Sequence, residues 1–423
     1  MQEQYDVIVV GGGAAGMFAA IHVGLAGKRV LLLERNDRLG KKLRITGKGR
    51  CNVTNCCTAE EVLQHVPRNG RFLYSAVTQY PPARMMEFLE AEGCPLKTER
   101  GNRVFPVSDS SASVQQALER ALGRAGVTVR QSRVLEVWTD AGQVAGVRTD
   151  QEQIPAGKVI LATGGCSYPA TGSTGDGYRM AAQLGHTVIP PTGSLVPLEE
   201  AGTDCGQMQG LSLRNVAVRL VHEKGKCVYR DFGELLFTHF GLSGPTVLSA
   251  SAHMGKPGAY QLVIDLKPAL EEGKLDARIL RDLELYQNRS MVNALTDLLP
   301  RSMIPVVLRR TQIPETLEAN SLTRQQRHSL VRELKNFAVP IAGKRPVEEA
   351  IVTSGGVKTG EVNPKTMESK RVSGLYFAGE ILDCDAYTGG FNLQIAWSTA
   401  YAAAMACRDL SGCGGHDEFA ENG

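Results

Sequence analysis

Three glycines near the N-terminus have the spacing of a turn that binds phosphate groups. Gly11, Gly13 and Gly16 follow the apolar residues 5–10 in a G-x-G-x-x-G pattern. In such a turn the first glycine permits the bend, the second lets the backbone approach a pyrophosphate, and the third lets a helix pack closely on a strand. Glu34 ends a second apolar run, and its carboxylate can accept hydrogen bonds from ribose hydroxyls. The pattern predicts a dinucleotide site, which either FAD or NAD would satisfy.

Three further segments favour FAD over NAD. Residues 35–52 form a basic, glycine-rich stretch that suits a loop contacting anions and the flavin, although a solvated surface loop would have the same composition. A short apolar strand predicted near the middle of the chain breaks at Gly164, where bare backbone can lie against a flat ring. A last predicted strand ends at Glu380, and either Glu380 or Asp383 can hold ribitol hydroxyls, unless both serve only as caps. A helix that begins near Gly390 would direct N–H groups at the flavin.

With these segments, the chain resembles the BaiN/YhiN-like flavoproteins of the glutathione-reductase-type FAD superfamily. Motifs in family order cover nearly the whole length: GGGAAGMFAA, GKKLRITGKGRCNVTN, GNRVFPVS, ATGGCSYPATGSTGDGY, GELLFTHFGLSGP, SGGV and GLYFAGEILDCDAYTGGFNLQIAWSTAYAAA. Family members are described as aminoacetone oxidase-family or NAD(P)/FAD-dependent oxidoreductases, and one is associated with reducing ring double bonds of 3-oxo bile acids. The resemblance implies FAD, with contacts at Ala14, Ala15, Glu34, Arg35, Lys41, Lys42, Arg50, Asn52, Val134 (through its backbone), Ala162, Thr163, Gly379, Glu380, Asp383, Phe391 and Asn392.

The predicted FAD site uses both ends of the chain, so its domain must be split. Residues 1–190 and 345–423 are predicted to form an α/β, Rossmann-type FAD-binding domain. Residues 191–344 are predicted to form an inserted β-rich, barrel-like domain that also carries a helical segment. An inserted domain of this kind is the expected carrier of the substrate site.

Within the insertion, strand patterns precede helical ones. A hairpin is predicted over 215–231, a strand over 261–266 and helices over 269–336, and residues 347–353 return to a strand pattern. No second G-x-G-x-x-G with its own following strand and acidic residue is present. NAD(P)H is therefore expected to dock transiently over the flavin, between the two domains, as an electron donor.

The leading hypothesis is an FAD-dependent, NAD(P)H-linked reductase. Flavin N5 would transfer a hydride to an activated C=C or carbonyl of a small organic substrate, for which a 3-oxo-steroid or bile-acid enone is a candidate. Tyr387, just before the predicted flavin-edge helix, and His239, in the insertion, are candidate proton donors. A packed tyrosine and a hydrogen-bonded structural histidine are the competing explanations for these two residues.

Three alternatives stay open. The first is a flavin-dependent amine or aminoketone oxidase. The second is a dithiol–flavin disulfide reductase that uses Cys51 and Cys56, whose C-x-x-x-x-C spacing follows the second predicted strand. The third is a flavoprotein that binds RNA through a basic face. This basic face comprises Arg309, Arg310, Arg324, Arg327 and Arg332. A solvated helix surface explains such a face more simply. We therefore expect no nucleic-acid partner.

Composition excludes several other classes of protein. The chain has 423 residues, 43% hydrophobic and 22% charged, which is the balance of a folded chain rather than a disordered or fibrous one. The net charge of +3 is too small to indicate nucleic acid or membrane by itself. No apolar stretch approaches the roughly 20 residues of a membrane span, and the N-terminus lacks the cationic start of a signal peptide. A cytoplasmic protein with no membrane contact is expected.

The cysteines do not indicate a metal site. None of the ten cysteines forms a C-x-x-C, and none pairs with a histidine at zinc-ligand spacing. We expect reduced thiols, no metal, and a small-molecule substrate as the partner. The oligomeric state stays open at this point.

Overall fold

A computed structural model describes residues 4–255 and 258–408. The chain divides into two compact units, the first comprising residues 1–192 and 353–423 and the second residues 193–352. The predicted insertion, residues 191–344, corresponds to the second unit, residues 193–352. Each unit has a hydrophobic core of its own.

The first stretch of the chain alternates strands and helices. Its strands are β1 (Val7–Val10), β2 (Val30–Glu34), β3 (Thr54–Asn55), β4 (Leu96–Glu99), β5 (Arg103–Pro106), β6 (Thr128–Gln131), β7 (Val134–Asp140), β8 (Gln143–Thr149), β9 (Gln153–Pro155), β10 (Lys158–Leu161) and β11 (Val188–Ser194). Its helices are α1 (Ala14–Leu25), α2 (Lys41–Ile45), α3 (Ala59–Gln64), α4 (Gly70–Gln79), α5 (Pro82–Ala91), α6 (Ser111–Arg124) and α7 (Asp176–Gln183).

The second unit is built on a closed barrel whose strands follow the order β12-β15-β14-β13-β16-β17. These strands are β12 (Leu198–Glu200), β13 (Ser212–His222), β14 (Cys227–Phe237), β15 (Gly241–Ser243), β16 (Tyr260–Asp265) and β17 (Phe337–Lys344). The helices are α8 (Asp204–Gln207), α9 (Pro245–Ser251), α10 (Glu272–Leu285), α11 (Met291–Ala294), α12 (Ile304–Arg310) and α13 (Arg324–Lys335). The predicted hairpin is the antiparallel pair of β13 and β14.

The last stretch returns to the first unit with β18 (Val352–Val357), β19 (Leu375–Phe377) and α14 (Phe391–Arg408). The strand predicted over 347–353 is wrong in its first half, where Val347–Glu349 forms a 3-10 turn. Pro346 precedes this turn, and the Arg345 and Glu349 side chains pair across it at 2.6 Å. These local interactions favour a turn over the extended pattern of the apolar residues.

A five-stranded parallel sheet forms the centre of the first unit, in the order β19-β10-β1-β2-β6. Both faces of β1 and β2 are buried, as expected for near-continuous runs of valine, isoleucine and leucine in a parallel sheet. Because the strands run in one direction, their carboxyl ends share one edge of the sheet. Four predicted site residues follow or end these strands at that edge, namely Gly11, Glu34, Ala162 and Gly379. The Rossmann-type fold with a separate barrel confirms the predicted fold class.

Helices α1 and α14 pack together against the sheet. Phe18 of α1 and Trp397 of α14 are fully buried, with ring centroids 5.4 Å apart. The Trp397 indole N–H donates to the Val53 carbonyl at 3.0 Å, so this large side chain leaves no polar atom unpaired. No helix of the described chain is long and apolar enough to cross a bilayer.

His22 gives this helix pair a predicted dependence on pH. Its ring lies 4.5 Å from the Phe18 ring and 5.0 Å from the Tyr401 ring, and its Nε2 is shielded from solvent with no partner. Burial, with the charges of Arg408 and Arg84, lowers the pKa of His22 from 6.5 to about 4. The neutral ring is therefore favoured by folding, and its stabilisation is complete above pH 6.5 and is lost as the pH falls toward 4.

We expect His22→Leu to remove this dependence, because leucine fills the apolar site and does not titrate. Between pH 7 and pH 4 the wild type should lose about 3 kcal/mol more free energy of unfolding than the variant. Urea denaturation followed by circular dichroism at both pH values measures the difference, and every other titrating group is common to the two proteins. Equal losses in the two proteins would contradict the prediction.

Candidate functional site

The strand ends of the first unit meet at glycines that leave no room for side chains. Gly11 has a φ of +104°, and a Cβ there would lie 2.6 Å from the Ala162 carbonyl oxygen. A Cβ on Gly379 would lie 2.9 Å from the Ala15 side chain. The ends of β1, β10 and β19 and the start of α1 therefore converge on one spot. This convergence brings together residues that are up to 368 positions apart in the chain (11 and 379).

The N-terminus of α1 is open to a ligand. The helix has no side-chain cap at Gly13 and no acidic residue in its first turn. Within the described ranges, no acceptor is bonded to the N–H groups of Ala14, Ala15 or Gly16. A Cβ built on Gly13 would meet nothing within 4 Å, in contrast to Gly11. Free donors and the positive end of the helix dipole are the features that bind a phosphate group at a helix N-terminus, as the sequence predicts here.

Glu34 ties the glycine turn to the end of β2. Its carboxylate accepts from the Gly12 N–H at 2.6 Å and from the Asn36 N–H and side-chain amide at 2.8 and 2.7 Å. A carboxylate has about four acceptor positions, so one remains for a ribose hydroxyl. The Ser132 N–H donates to the Glu34 carbonyl at 2.9 Å. That bond places the start of β7, and with it Val134, beside the end of β2. The adenine contact of Val134 stays a prediction.

Arg35 and the two predicted lysines have partners of their own. Arg35 donates to Thr174 at 2.7 Å and pairs with Asp176 at 3.1 Å. Lys41 pairs with Asp37 at 2.8 Å. These ion pairs hold Arg35 and Lys41 near the edge of the sheet. Their contacts with FAD stay predictions.

Lys42 and Glu380, two predicted contacts from opposite ends of the chain, form an ion pair at 2.7 Å. Lys42 also donates to the Ser167 hydroxyl at 2.6 Å, and the other oxygen of Glu380 accepts from the Thr353 N–H at 2.7 Å. The Tyr178 hydroxyl donates to the Glu380 carbonyl at 3.2 Å, and burial, followed by the Glu380 charge, raises the pKa of Tyr178. This network holds the segment that follows β19 beside the segment that follows β10 and beside helix α2, which contains Lys42.

Two solvent-shielded oxygen atoms in this region have no partner. They are Oδ1 of Asp383 and Oγ1 of Thr163. An unpaired polar atom buried in a protein costs about 1–3 kcal/mol. Both residues are predicted FAD contacts, and Asp383 is predicted to hold ribitol hydroxyls. The residues present therefore fit FAD, whose hydroxyl and ring atoms would satisfy these two oxygens.

The loop before α14 is shaped by asparagine side chains. Asn392 accepts from the Ala386 N–H at 2.8 Å and donates to the Ala386 carbonyl at 2.7 Å. Asn52, with its amide oriented to satisfy both ends, accepts from the Gly390 N–H at 3.0 Å. A Cβ on Gly390 would lie 2.3 Å from the Thr54 carbonyl oxygen. Both predicted asparagines thus build the loop through their side chains.

Because the loop is held in this way, α14 presents free donors. In the part of the chain that the structure describes, no acceptor is bonded to the N–H groups of Phe391, Asn392 or Leu393. The first bonded N–H is that of Gln394, which donates to the Gly390 carbonyl at 3.0 Å. This 18-residue helix therefore has a second open N-terminus that can stabilise negative charge.

One positioning segment, the turn 65–69, was missed in the sequence analysis. The Asn69 amide donates to the Asp383 carbonyl at 2.6 Å and to its Oδ2 at 3.0 Å. Arg68 donates to the buried Asp385 at 2.8 Å. The His65 ring stacks on Phe391 with centroids 4.1 Å apart. The sequence offered only three polar residues after a short helix, and no spacing rule connects them with a loop more than 300 residues away.

Nearly the whole chain matches a known protein family. The model of the HI0933-like protein Rossmann domain family matches residues 5–406. The chain belongs to the HI0933-like family. This confirms the BaiN/YhiN-like resemblance, and with the fitting site it makes the protein an FAD-dependent oxidoreductase.

Two relatives match almost end to end. The chain is 32% identical over 408 residues to the 3-dehydro-bile acid delta(4,6)-reductase of Clostridium scindens, covering 95% of this chain and 98% of that protein. It is 33% identical over 406 residues to the ribosomal RNA dihydrouridine synthase of Escherichia coli, again covering 95% and 98%. The 3-ketosteroid-delta4-(5alpha)-dehydrogenase of Rhodococcus jostii RHA1 shares the fold, with a TM-score of 0.52, 15% identity and coverage of 96% and 98%.

In this HI0933-like protein the two proposed proton donors lie in different units. Tyr387 is half-buried in the loop before α14, where its N–H donates to the His65 carbonyl at 3.0 Å. His239 lies exposed between β14 and β15 of the second unit, with its ring 5.0 Å from that of Phe240. Their catalytic roles stay predictions.

Arg50 serves the architecture of the HI0933-like site. Its guanidinium pairs with both Glu99 and Asp109 and lies 4.1 Å from the centroid of the Phe105 ring. These contacts join the segment that contains the Gly-Arg-Cys-Asn motif to β4 and β5. A direct contact with FAD stays a prediction.

The structure opposes a dithiol mechanism. Cys51 is fully buried, and burial raises its pKa to about 12, which disfavours the thiolate needed for exchange. Cys56 is exposed, and both cysteines are free thiols. The two thiols therefore have opposite environments, whereas a redox pair needs both sulfurs at one accessible site.

The predicted basic face is largely neutralised within the second unit. Arg309 and Arg310 both pair with Asp204, and Arg310 also pairs with Glu333 at 3.0 Å. Arg327 pairs with Asp276 at 2.7 Å. Most of the arginines that suggested an RNA-binding face are thus occupied by carboxylates of the same unit.

The open space at Gly13 leads to a sharp prediction. Gly13→Ala should leave the fold of the apoprotein intact, because the new Cβ meets no protein atom. The variant should bind FAD about tenfold or more weakly, because the Cβ occupies the space through which the backbone approaches the pyrophosphate. Titration of the apoprotein with FAD, followed by flavin fluorescence, gives the dissociation constant, and a thermal scan reports the fold. Gly123→Ala is the matched control, since a Cβ at this position of α6 also meets nothing within 4 Å. Equal affinities in the two variants would contradict the assignment.

Proposed function

We propose that this HI0933-like protein is an NAD(P)H-linked reductase that adds hydrogen across a carbon–carbon double bond conjugated to a carbonyl group. The observation that carries the proposal is the end-to-end match to two proteins whose names share this chemistry. A 3-dehydro-bile acid with delta(4,6) double bonds is a conjugated ketone. Dihydrouridine is uridine with hydrogen added across a ring double bond that is conjugated to a carbonyl. The substrates differ greatly in size, so the shared element is the reaction.

The residues of the first unit account for cofactor binding. The free N–H groups of α1 would hold the pyrophosphate, Glu34 the adenosine ribose, and Asp383 the ribitol chain. When bound, FAD supplies the hydride chemistry. The free N–H groups of α14 favour negative charge beside them, which in flavoproteins stabilises a reduced, anionic ring. This arrangement suits a protein that must hold electrons before passing them on.

Besides the cofactor, the proposed reaction requires a proton donor. Hydride addition to a conjugated double bond leaves an enolate, and a side chain must then protonate its α-carbon. Tyr387 and His239 are our proposed donors. Tyr387 lies four residues before the start of α14, and His239 carries an imidazole that is exposed in the second unit. Either group can release a proton and recover it from solvent.

We propose that the electron donor is NADH or NADPH, which binds at the site only transiently. The described first unit has one glycine turn at a strand end followed by an open helix, and it is used for FAD. A transient donor needs no domain of its own. We place the reaction in the cytoplasm, where NADH and NADPH are supplied, with a small conjugated ketone as the first candidate substrate and uridine in RNA as the second, which the Escherichia coli relative favours.

An anaerobic titration tests this function directly. The holoenzyme should lose its oxidised flavin spectrum stoichiometrically with NADH or NADPH, and regain it on addition of 4-androstene-3,17-dione or a uridine-containing RNA. Reoxidation by the steroid alone identifies a small-molecule reductase, and reoxidation by the RNA alone identifies the second candidate. A flavin that neither nucleotide reduces would refute the NAD(P)H-linked reductase and favour an amine or aminoketone oxidase.

The proposed role of Tyr387 has its own test. Tyr387→Phe should lower the rate of flavin reoxidation by the acceptor about a hundredfold, the usual range for loss of a general acid, and leave the FAD content unchanged. Stopped-flow absorbance measures this half-reaction apart from reduction by NAD(P)H. Tyr74→Phe on the exposed side of α4 is the matched control. An unchanged reoxidation rate in Tyr387→Phe would leave His239 as the remaining candidate.

A further inference from the structure

A surplus of positive charge lies beside the loop that precedes α14. Lys48, Arg100 and Arg103 are exposed. Across the described ranges, no carboxylate lies within ion-pair distance of any of the three. We call these three residues the cationic rim.

The rim is organised around Phe105. The Arg103 guanidinium lies 5.8 Å from the centroid of this ring, and its Nε donates to the Arg100 carbonyl at 3.0 Å. A Cβ on Gly47 would lie 3.2 Å from the same ring, so Lys48 directly follows a residue that packs there. The two separate segments 46–50 and 100–105 thus meet at the Phe105 ring.

The acidic residues near this surface are already matched. Glu99 and Asp109 both pair with Arg50, and Lys97 lies 2.6 Å from Asp109 and 3.7 Å from Glu99. Two carboxylates and two cations therefore cancel. Within the described residues, the three cations of the rim have no carboxylate partner, and exposed cations without such a partner attract an anion.

Asn55 connects the rim to the flavin site. Its side-chain amide is buried and donates to both the Gly101 and the Gly389 carbonyls at 3.0 Å. Gly101 lies between the rim arginines, and Gly389 lies two residues before α14. The Cys56 N–H also donates to the Asn102 carbonyl at 2.7 Å, which fixes the same turn. The rim is thus held at a constant position next to the open N-terminus of α14.

We propose that the substrate reduced at this site carries an anionic group, a carboxylate or a phosphate, and that the cationic rim binds it. This inference rests on the proposed function, because it concerns the substrate of that reaction. Exposed cations clustered beside a site attract an anionic ligand and raise its local concentration, and salt screens the effect. The rim would thereby select charged substrates over neutral molecules with the same reacting double bond.

Matched pairs of ligands test the inference by binding, without turnover. The first pair is 3-oxo-4-cholen-24-oic acid and its methyl ester, and the second is uridine 5′-monophosphate and uridine. Changes in the absorbance of the oxidised flavin report binding to the holoenzyme. The anionic member of at least one pair should bind about tenfold more tightly at low salt, and the preference should shrink as the ionic strength rises. The pair that shows the preference identifies the anion.

The double variant Arg100→Gln and Arg103→Gln localises the effect. It should reduce the anionic-to-neutral affinity ratio about tenfold. Arg281→Gln with Arg301→Gln is the matched control, since it removes the same total charge from exposed positions of the second unit. The amount of FAD bound per chain reports that each variant is folded.

The outcomes separate the two proposals. A preference for the anion in binding, in a holoenzyme whose flavin neither NADH nor NADPH reduces, supports the rim and refutes the proposed reaction. Reduction of both members of each pair with equal affinities supports the reaction and overturns the rim. An equal loss of preference in the rim variant and in the control variant also overturns it, because net charge alone would then account for the effect.

Discussion

The close contact between the start of α1 and the end of β1 is the constraint on which the first unit depends. A Cβ on Gly16 would lie 1.7 Å from the Gly11 carbonyl oxygen, so only glycine lets the helix begin immediately after the strand. That contact places the helix N-terminus, with its free N–H groups, at the edge where β10 and β19 also end. Glu34 then reaches the Gly12 N–H, and Ala15 reaches Gly379. A cofactor site made from both ends of the chain follows from this one approach.

A second set of interactions controls the other end of the site. The loop before α14 is bound by three amide side chains from two earlier segments: Asn52 on Gly390 and Asn55 on Gly389 from one, and Asn69 on Asp383 from the other. These amides satisfy the loop backbone, so the first N–H groups of α14 remain free for a ligand. The buried oxygens of Asp383 and Thr163 that have no hydrogen-bond partner are likewise free for a ligand. In both places the polar groups without a protein partner are ones that a bound cofactor would satisfy.

Membership of the HI0933-like family accounts for the cofactor but leaves the choice of substrate to other features. By their names, the two relatives that match end to end act on a bile acid and on ribosomal RNA. This chain is 32% and 33% identical to them, respectively. The flavin brings the redox chemistry, and the protein supplies binding, orientation and selection. On this chain we propose that the exposed cations Lys48, Arg100 and Arg103, next to the loop that precedes α14, contribute to that selection.

The sequence alone determined the fold class and the glycine turn, because Gly11 to Gly16 follow a buried strand and an acid follows at Glu34. FAD rather than NAD was predicted from the later segments that contain Gly164, Glu380 and Gly390 and from the family motifs. It also predicted Lys42 and Glu380 as separate contacts, without their pairing. Only the tertiary structure decided that Asn52 and Asn392 build a loop, that Cys51 is sealed from solvent, and that the turn 65–69 positions Asp383. Such roles depend on which distant segments meet, and neither spacing nor composition encodes contacts between residues hundreds of positions apart.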